Sequence, residues 1–139
     1  MTTNRTRQQQ GFTLIEALVA LAVLSFGLLG VAAMQLKALQ SAHAGYQRSV
    51  ASLAAQDAQE RLWEELASDP STCPDVASFN AEEWQGNWIT FLPELNATPV
   101  SEHGSDCTFS IDVSWNDSRF KDEALTETFS YTVRLPVSP

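Results

Sequence analysis

The most constraining stretch of this 139-residue chain is an apolar run with one carboxylate inside it. Gly11-Phe12-Thr13-Leu14-Ile15-Glu16 is followed by twenty residues, Ala17 to Leu36, that carry no formal charge and are rich in Leu, Val and Ala. Twenty residues make about 30 Å of helix, enough to cross the hydrocarbon core of a bilayer. Glu16 sits four residues after Phe12, where an unpaired charge costs about 2.5–3.5 kcal/mol on insertion scales. A simple anchor has no use for that penalty. A helix that must find a cationic partner in apolar surroundings does.

Charge orients the run. The chain carries a net −9, yet Met1 to Gln10 contains Arg5 and Arg7 and no acid. Loss of that segment would take the remainder to −11. Between Leu62 and Ser118 there is no Lys or Arg, against eleven Asp and Glu. Basic residues before an apolar span and acidic ones after it place the C-terminal part outside the cytoplasm. So acidic a surface argues against nucleic acid as a partner, since phosphate contacts need Lys and Arg. An ordinary secretory signal is cut after its apolar core. Such a signal's core is also shorter, about 7–15 residues, than the run here.

Those residues carry a family resemblance. Gly11 through Glu16 resembles the processing site of type IV pilins and of type II secretion pseudopilins. Gly45-Tyr46-Gln47-Arg48-Ser49 and Asp57-Ala58-Gln59-Glu60-Arg61-Leu62 resemble the PilV-type minor pilins. The resemblance implies a cytoplasmic leader, residues 1–11, removed by a prepilin peptidase that cuts after Gly11 and methylates the amino group of Phe12. It implies that Glu16 pairs with such an amino group, its own or a neighbour's, as subunits assemble. Many major pilins carry a proline in the middle of this helix. Here Ala33 and its neighbours stand instead, and Gly27 and Gly30 loosen the helix by about 1 kcal/mol each relative to Ala.

Beyond the span the pattern turns amphipathic. Tyr46, Val50, Leu53, Ala54, Ala58, Leu62 and Leu66 recur at three- and four-residue steps, while Lys37, Gln47, Arg48, Gln56 and Glu60 occupy much of the remainder. Pro70, after Ser68-Asp69, is a natural stop. One long helix is therefore expected over residues 12–69, apolar over 12–36 and an amphipathic spine over 37–69. Residues 70–139 are expected to form a globular domain outside the cytoplasm.

In that domain Pro70 to Ser78 reads as a loop. Asn80 is a candidate N-cap with Glu83 at the capping-box position. Trp84, Trp88, Phe91, Leu92 and Leu95 then predict a short helix to about Leu92, its aromatic residues in the core. Asn96 to Asp106 reads as loop. Two strands follow. Phe109, Ile111, Val113 and Trp115 alternate with Thr108, Ser110, Asp112 and Ser114. Phe129, Tyr131, Val133 and Leu135 alternate with Thr128, Ser130, Thr132 and Arg134. Each has one dry and one wet face, as in an antiparallel sheet with a single buried side. The stripe at Tyr46–Leu66 is the natural cover, giving an α+β fold: a long N-terminal helix packed against a small antiparallel sheet.

Cys73 and Cys107 are the two cysteines. Outside the cytoplasm a disulfide persists, and closing a loop of 35 residues stabilises by roughly 2–4 kcal/mol; two buried thiols are the alternative. His43 and His103 have no cysteine or carboxylate at zinc-ligand spacing. Asp117, Asp122 and Glu123 lack the glycine-punctuated calcium-loop pattern. No Ser-His-Asp, Cys-His or phosphate-cradling glycine motif is present, so no metal, cofactor or enzymatic activity is expected.

The expected function, on the resemblance, is that of a minor pilin: a structural subunit that helps initiate type IV pilus assembly at or near the tip and supports a tip adhesin. Its partners would be other minor and major pilins, the prepilin peptidase and, before assembly, the inner membrane, which it would cross once with its C-terminus in the periplasm before reaching the pilus surface. Two alternatives stand beside this one. The first is a minor pseudopilin of type II secretion; the second is a single-span anchored binding module that never polymerises.

Overall fold

The structure, a computed structural model, describes residues 13–102, 106–117 and 125–137. The chain divides into two compact units, one ending at Gln40 and the other beginning at Ser41. Helix α1, Leu14–Ser68, supplies residues to both. It is unbroken at Gly27, Gly30 and Gly45. The observed architecture is the expected α+β arrangement, a long N-terminal helix whose later turns pack against a three-stranded antiparallel sheet.

Pro70 forces the end of α1, and Asp69 organises the turn beyond it. Its Oδ1 accepts hydrogen bonds from the Ser71 hydroxyl at 2.7 Å and the Ser71 N–H at 3.2 Å. Donation by the Ser71 hydroxyl, then by the Thr72 side chain and the Ser71 backbone, holds the exposed Asp69 carboxyl below its usual range. A single 3-10 turn, Val76–Ser78, is capped by Asp75, whose carboxylate accepts from the Ala77 N–H at 2.9 Å. Helix α2, Ala81–Trp88, begins at Asn80, whose Oδ1 accepts from the Glu83 N–H at 3.2 Å. Glu83 returns the contact to the Asn80 side-chain amide rather than to its backbone. The helix stops at Trp88, a turn earlier than the aromatic spacing predicts. Leu92 and Leu95 still reach the core, but Phe91 is half exposed.

The sheet runs in the order β1-β2-β3. Strand β1, Val100–Glu102, lies within the stretch read from sequence as loop. Three residues are too few to show an alternation, and what makes them a strand is the edge of β2, against which Val100 pairs with Ile111 and Glu102 with Phe109. Strands β2 (Thr108–Asp117) and β3 (Leu125–Arg134) pair antiparallel over their whole lengths, from Thr108 opposite Arg134 to Asp117 opposite Leu125.

The core is built on small residues of α1. Ala51, Ala54, Ala55 and Ala58 are 0–1% exposed, flanked by Val50, Leu62 and Leu66. Against them lie Trp84, Phe109, Ile111, Val113 and Trp115, all 2% exposed or less. Two residues of the predicted stripe face outwards: Tyr46 and Leu53 are 54% and 53% exposed. Gln47, assigned to the polar side, is buried instead and accepts a hydrogen bond from the Trp115 indole N–H at 3.3 Å. The buried stripe is rotated away from the largest apolar residues because the tryptophans need small neighbours and a polar acceptor. The dry face of β3 is also only partly dry. Val133 and Leu135 are buried, whereas Phe129 is half-buried and Tyr131 exposed. The core is centred on β2, and β3 lies at the sheet margin.

Overpacking the alanine face should be costly. Ala58→Leu is expected to destabilise Ser41–Pro139 by about 1–3 kcal/mol, whereas Leu53→Ala, on the outward face, should change stability by no more than about 0.5 kcal/mol. Urea unfolding followed by tryptophan fluorescence compares them, and equal effects would contradict the assigned helix face.

Candidate functional site

The apolar half of α1 is the element whose chemistry the rest of the fold does not absorb. Every residue from Thr13 to Leu39 is exposed, including Phe26 at 76% and Leu29 at 69%. The helix is long and apolar enough to cross a membrane by length and composition. Its own polar groups are satisfied locally, as where the Ser25 hydroxyl donates to the Leu21 carbonyl at 2.7 Å. Such a surface in water would drive association, so its neighbours are lipid tails or other apolar helices.

Glu16 lies in the first turn of α1, with its N–H bonded to the Thr13 carbonyl at 3.0 Å. A carboxylate there is favoured by the positive end of the helix dipole. Helical side chains lean towards the N-terminus, so the carboxylate reaches back along the helix rather than forward. Between Thr13 and Leu36 the sequence offers no Lys, Arg or His to meet it. Its face continues through Val19, Ala20 and Val23, all apolar. The arrangement is a single anionic group at the head of an exposed apolar helix. Gly11 and Phe12 lie outside the described residues.

The two later motifs have a different fate. Gln47 and Arg48 fasten α1 to the sheet, Gln47 through Trp115 and Arg48 through Glu127 at 3.4 Å. Asp57 accepts from the Trp88 indole N–H at 2.8 Å and from Arg61 at 3.4 Å, and Arg61 also meets Glu83 at 3.6 Å. Four residues of these motifs, Gln47, Arg48, Asp57 and Arg61, therefore tie α1 to the sheet and to α2, while Ser49 bonds back within α1 to the Gly45 carbonyl. Sequence spacing put Asp57 and Arg61 one helical turn apart; it held no sign of Trp88 and Glu83, which arrive from α2. A groove of about 810 Å³ between the end of α1 and the start of α2 is lined by Asp57, Glu60, Glu64, Glu65 and Glu83 together with Arg61.

Cys73 and Cys107 form a disulfide, their Cα atoms 5.6 Å apart across 34 positions of sequence. It ties the loop after α1 to the start of β2. Cys107 adopts φ 58°, a left-handed conformation costing a non-glycine residue about 1–3 kcal/mol. Its carbonyl accepts from the Leu135 N–H at 3.0 Å, which helps hold it there. Among the described residues no three His, Cys, Asp or Glu side chains gather as a metal site. His103, Asp122 and Glu123 lie outside those residues, and Asp117 is described in its backbone only.

Residues 6–32 match the family described as the prokaryotic N-terminal methylation motif. No curated protein and no solved structure matches the chain. The match supports a pilin-like or pseudopilin protein, and a leader of that type implies prepilin peptidase processing and pilin-type assembly partners in general. With the one apolar N-terminal helix, it fits anchoring in the inner membrane.

Removing the disulfide gives a direct stability test. Replacing Cys73 and Cys107 by Ser should lower the unfolding free energy of Ser41–Pro139 by about 2–4 kcal/mol. The same loss should appear when the native fragment is reduced, and urea midpoints with and without reductant measure it.

Proposed function

We propose that this protein is a minor pilin of the PilV type, a non-enzymatic subunit that helps initiate type IV pilus assembly at or near the tip and supports an adhesin there. The observation that carries this reading is Glu16: one carboxylate at the head of an exposed apolar helix, inside the matched methylation motif. In this reading the peptidase removes residues 1–11 and methylates Phe12. The new amino group supplies the cation that the helix lacks. The apolar half of α1 leaves the membrane by exchanging lipid for the helices of neighbouring pilins, and Glu16 pairs with an amino terminus at the docking site. The domain after Gln40 lies in the periplasm and then on the pilus. The subfamily assignment rests on the motifs at Gly45–Ser49 and Asp57–Leu62, of which Gln47, Arg48, Asp57 and Arg61 fasten the domain to its helix.

Processing is tested at the junction. Gly11 puts no side chain beside the scissile bond, so Gly11→Val should leave the leader attached. Mass spectrometry of the membrane-extracted variant should find an N-terminus at Met1 or Thr2. A methylated Phe12 at normal abundance would refute the assigned cleavage site.

Assembly is tested at Glu16. Glu16→Ala removes both the penalty of a carboxylate in apolar surroundings and its attraction to a cation. The variant should insert and be processed normally, yet enter sheared pili several-fold less, or reduce the number of surface pili. Wild-type incorporation by a membrane-bound Glu16→Ala protein would remove Glu16 from the assembly contact and return the chain to a simple anchored module.

A further inference from the structure

From Ala67 to Thr72 the chain is exposed throughout. Its hydrogen bonds there run locally, from the Ser71 N–H and hydroxyl to the Asp69 carboxylate and from the Thr72 N–H to the Asp69 carbonyl at 3.3 Å. The chain rejoins the body of the fold at Cys73, through its bond to Cys107, and at Pro74, which is buried. The disulfide is not sealed inside the core. Both cysteines line a groove of about 700 Å³, whose other walls are Asp106 and the segment Arg134 to Val137.

The two sulfur-bearing residues are not equivalent. Cys107 is 4% exposed and belongs to the core, whereas Cys73 is part-exposed and packs at its margin. Thiol exchange proceeds by attack of a thiolate on one sulfur while the other leaves, so access decides which sulfur is attacked. Access here selects Cys73 and makes Cys107 the leaving group. Cys107 also holds a left-handed backbone, φ 58°, restrained by the disulfide and by the Leu135 N–H on its carbonyl at 3.0 Å. Opening the disulfide releases one of these restraints.

We propose that the Cys73–Cys107 bond is a redox-sensitive clasp, opened from the groove by a dithiol. One thiolate of the dithiol attacks Sγ of Cys73. The S–S bond breaks, and its electron pair leaves on Sγ of Cys107, which takes up a proton. The second thiol of the reagent, as its thiolate, then attacks the reagent's own sulfur in the mixed disulfide and expels Cys73, which is protonated in turn. The reagent is oxidised by two electrons to a disulfide, and the protein's cystine is reduced to two thiols. A dithiol is required because Cys107 stays beside the mixed disulfide, its Cα 5.6 Å from that of Cys73 in the closed form. That proximity acts as a high effective concentration and returns a monothiol to solution. A second thiol on the same reagent competes on equal terms. With two cysteines in the chain, no alternative pairing intervenes. The clasp goes beyond the assembly role and does not depend on Glu16.

The test uses the full chain in detergent micelles with dithiothreitol as the dithiol. Samples are quenched in acid, alkylated and analysed by mass spectrometry. The folded chain should be reduced within about tenfold of the rate of the urea-unfolded chain. A disulfide reached only through global unfolding would react about 10³-fold more slowly or worse, and that result would overturn the proposal. Reduced glutathione at the same thiol concentration should leave most of the chain oxidised; equal opening by both reagents would overturn the requirement for a dithiol. The attacked sulfur is read from single variants incubated with oxidised glutathione. Cys73 in Cys107→Ser should form the adduct about tenfold faster or more than Cys107 in Cys73→Ser. Equal rates, or a faster Cys107, would overturn the assigned direction. If either variant fails to fold, pulse alkylation of the reduced wild-type chain compares the same two sulfurs.

Discussion

The fold rests on three indole N–H groups that close onto one helix. Trp84 donates to the Ala54 carbonyl at 2.9 Å, Trp88 to Asp57 at 2.8 Å and Trp115 to Gln47 at 3.3 Å. Large rings reach a helix backbone only where its side chains are small, and Ala51, Ala54, Ala55 and Ala58 provide that approach. Indole contributes a large apolar surface and one donor that must be satisfied when buried. Trp84 and Trp88 fix α2, Trp115 fixes β2, and through β2 the other strands take their places. The disulfide then holds the loop after α1 to the strand that Trp115 has positioned.

Helix α1 solves two solvation problems with one backbone. After Gln40 its inward face is small and apolar, and its partners come from the same chain. Before that point every described side chain is exposed and its partners must come from elsewhere. Apolar contact alone is non-directional and sets no axial register. Within the proposed assembly, that leaves Glu16 as the group able to distinguish one docking depth from another. A carboxylate one turn out of register keeps its full desolvation cost and gains no partner.

Much of this was legible in the sequence, and the failures share a cause. The apolar span, the stop at Pro70 and the alternation of β2 are local patterns, and each corresponds to an element. The helix face was misread because hydrophobicity ranked Tyr46 and Leu53 above Ala51 and Ala55, while Trp84 of α2 and Trp115 of β2 required the opposite order. Gln47 looked like surface because its partner lies 68 residues away. Strand β1 exists only through its pairing with β2, and Phe91 turned outward because α2 ends before its periodicity does. The carboxylate at Glu16 was visible at once, since a charge within an apolar run needs no tertiary context to be noticed.

The apolar surroundings of Glu16 set how strictly the proposed assembly contact can select. An unsatisfied polar group in hydrocarbon costs several kcal/mol, because no water is present to replace a lost partner. Within the proposed assembly, mispairing at Glu16 is therefore heavily penalised, which suits a contact made once and in one register, because the solvent around a polar group sets the cost of a bond left unmade.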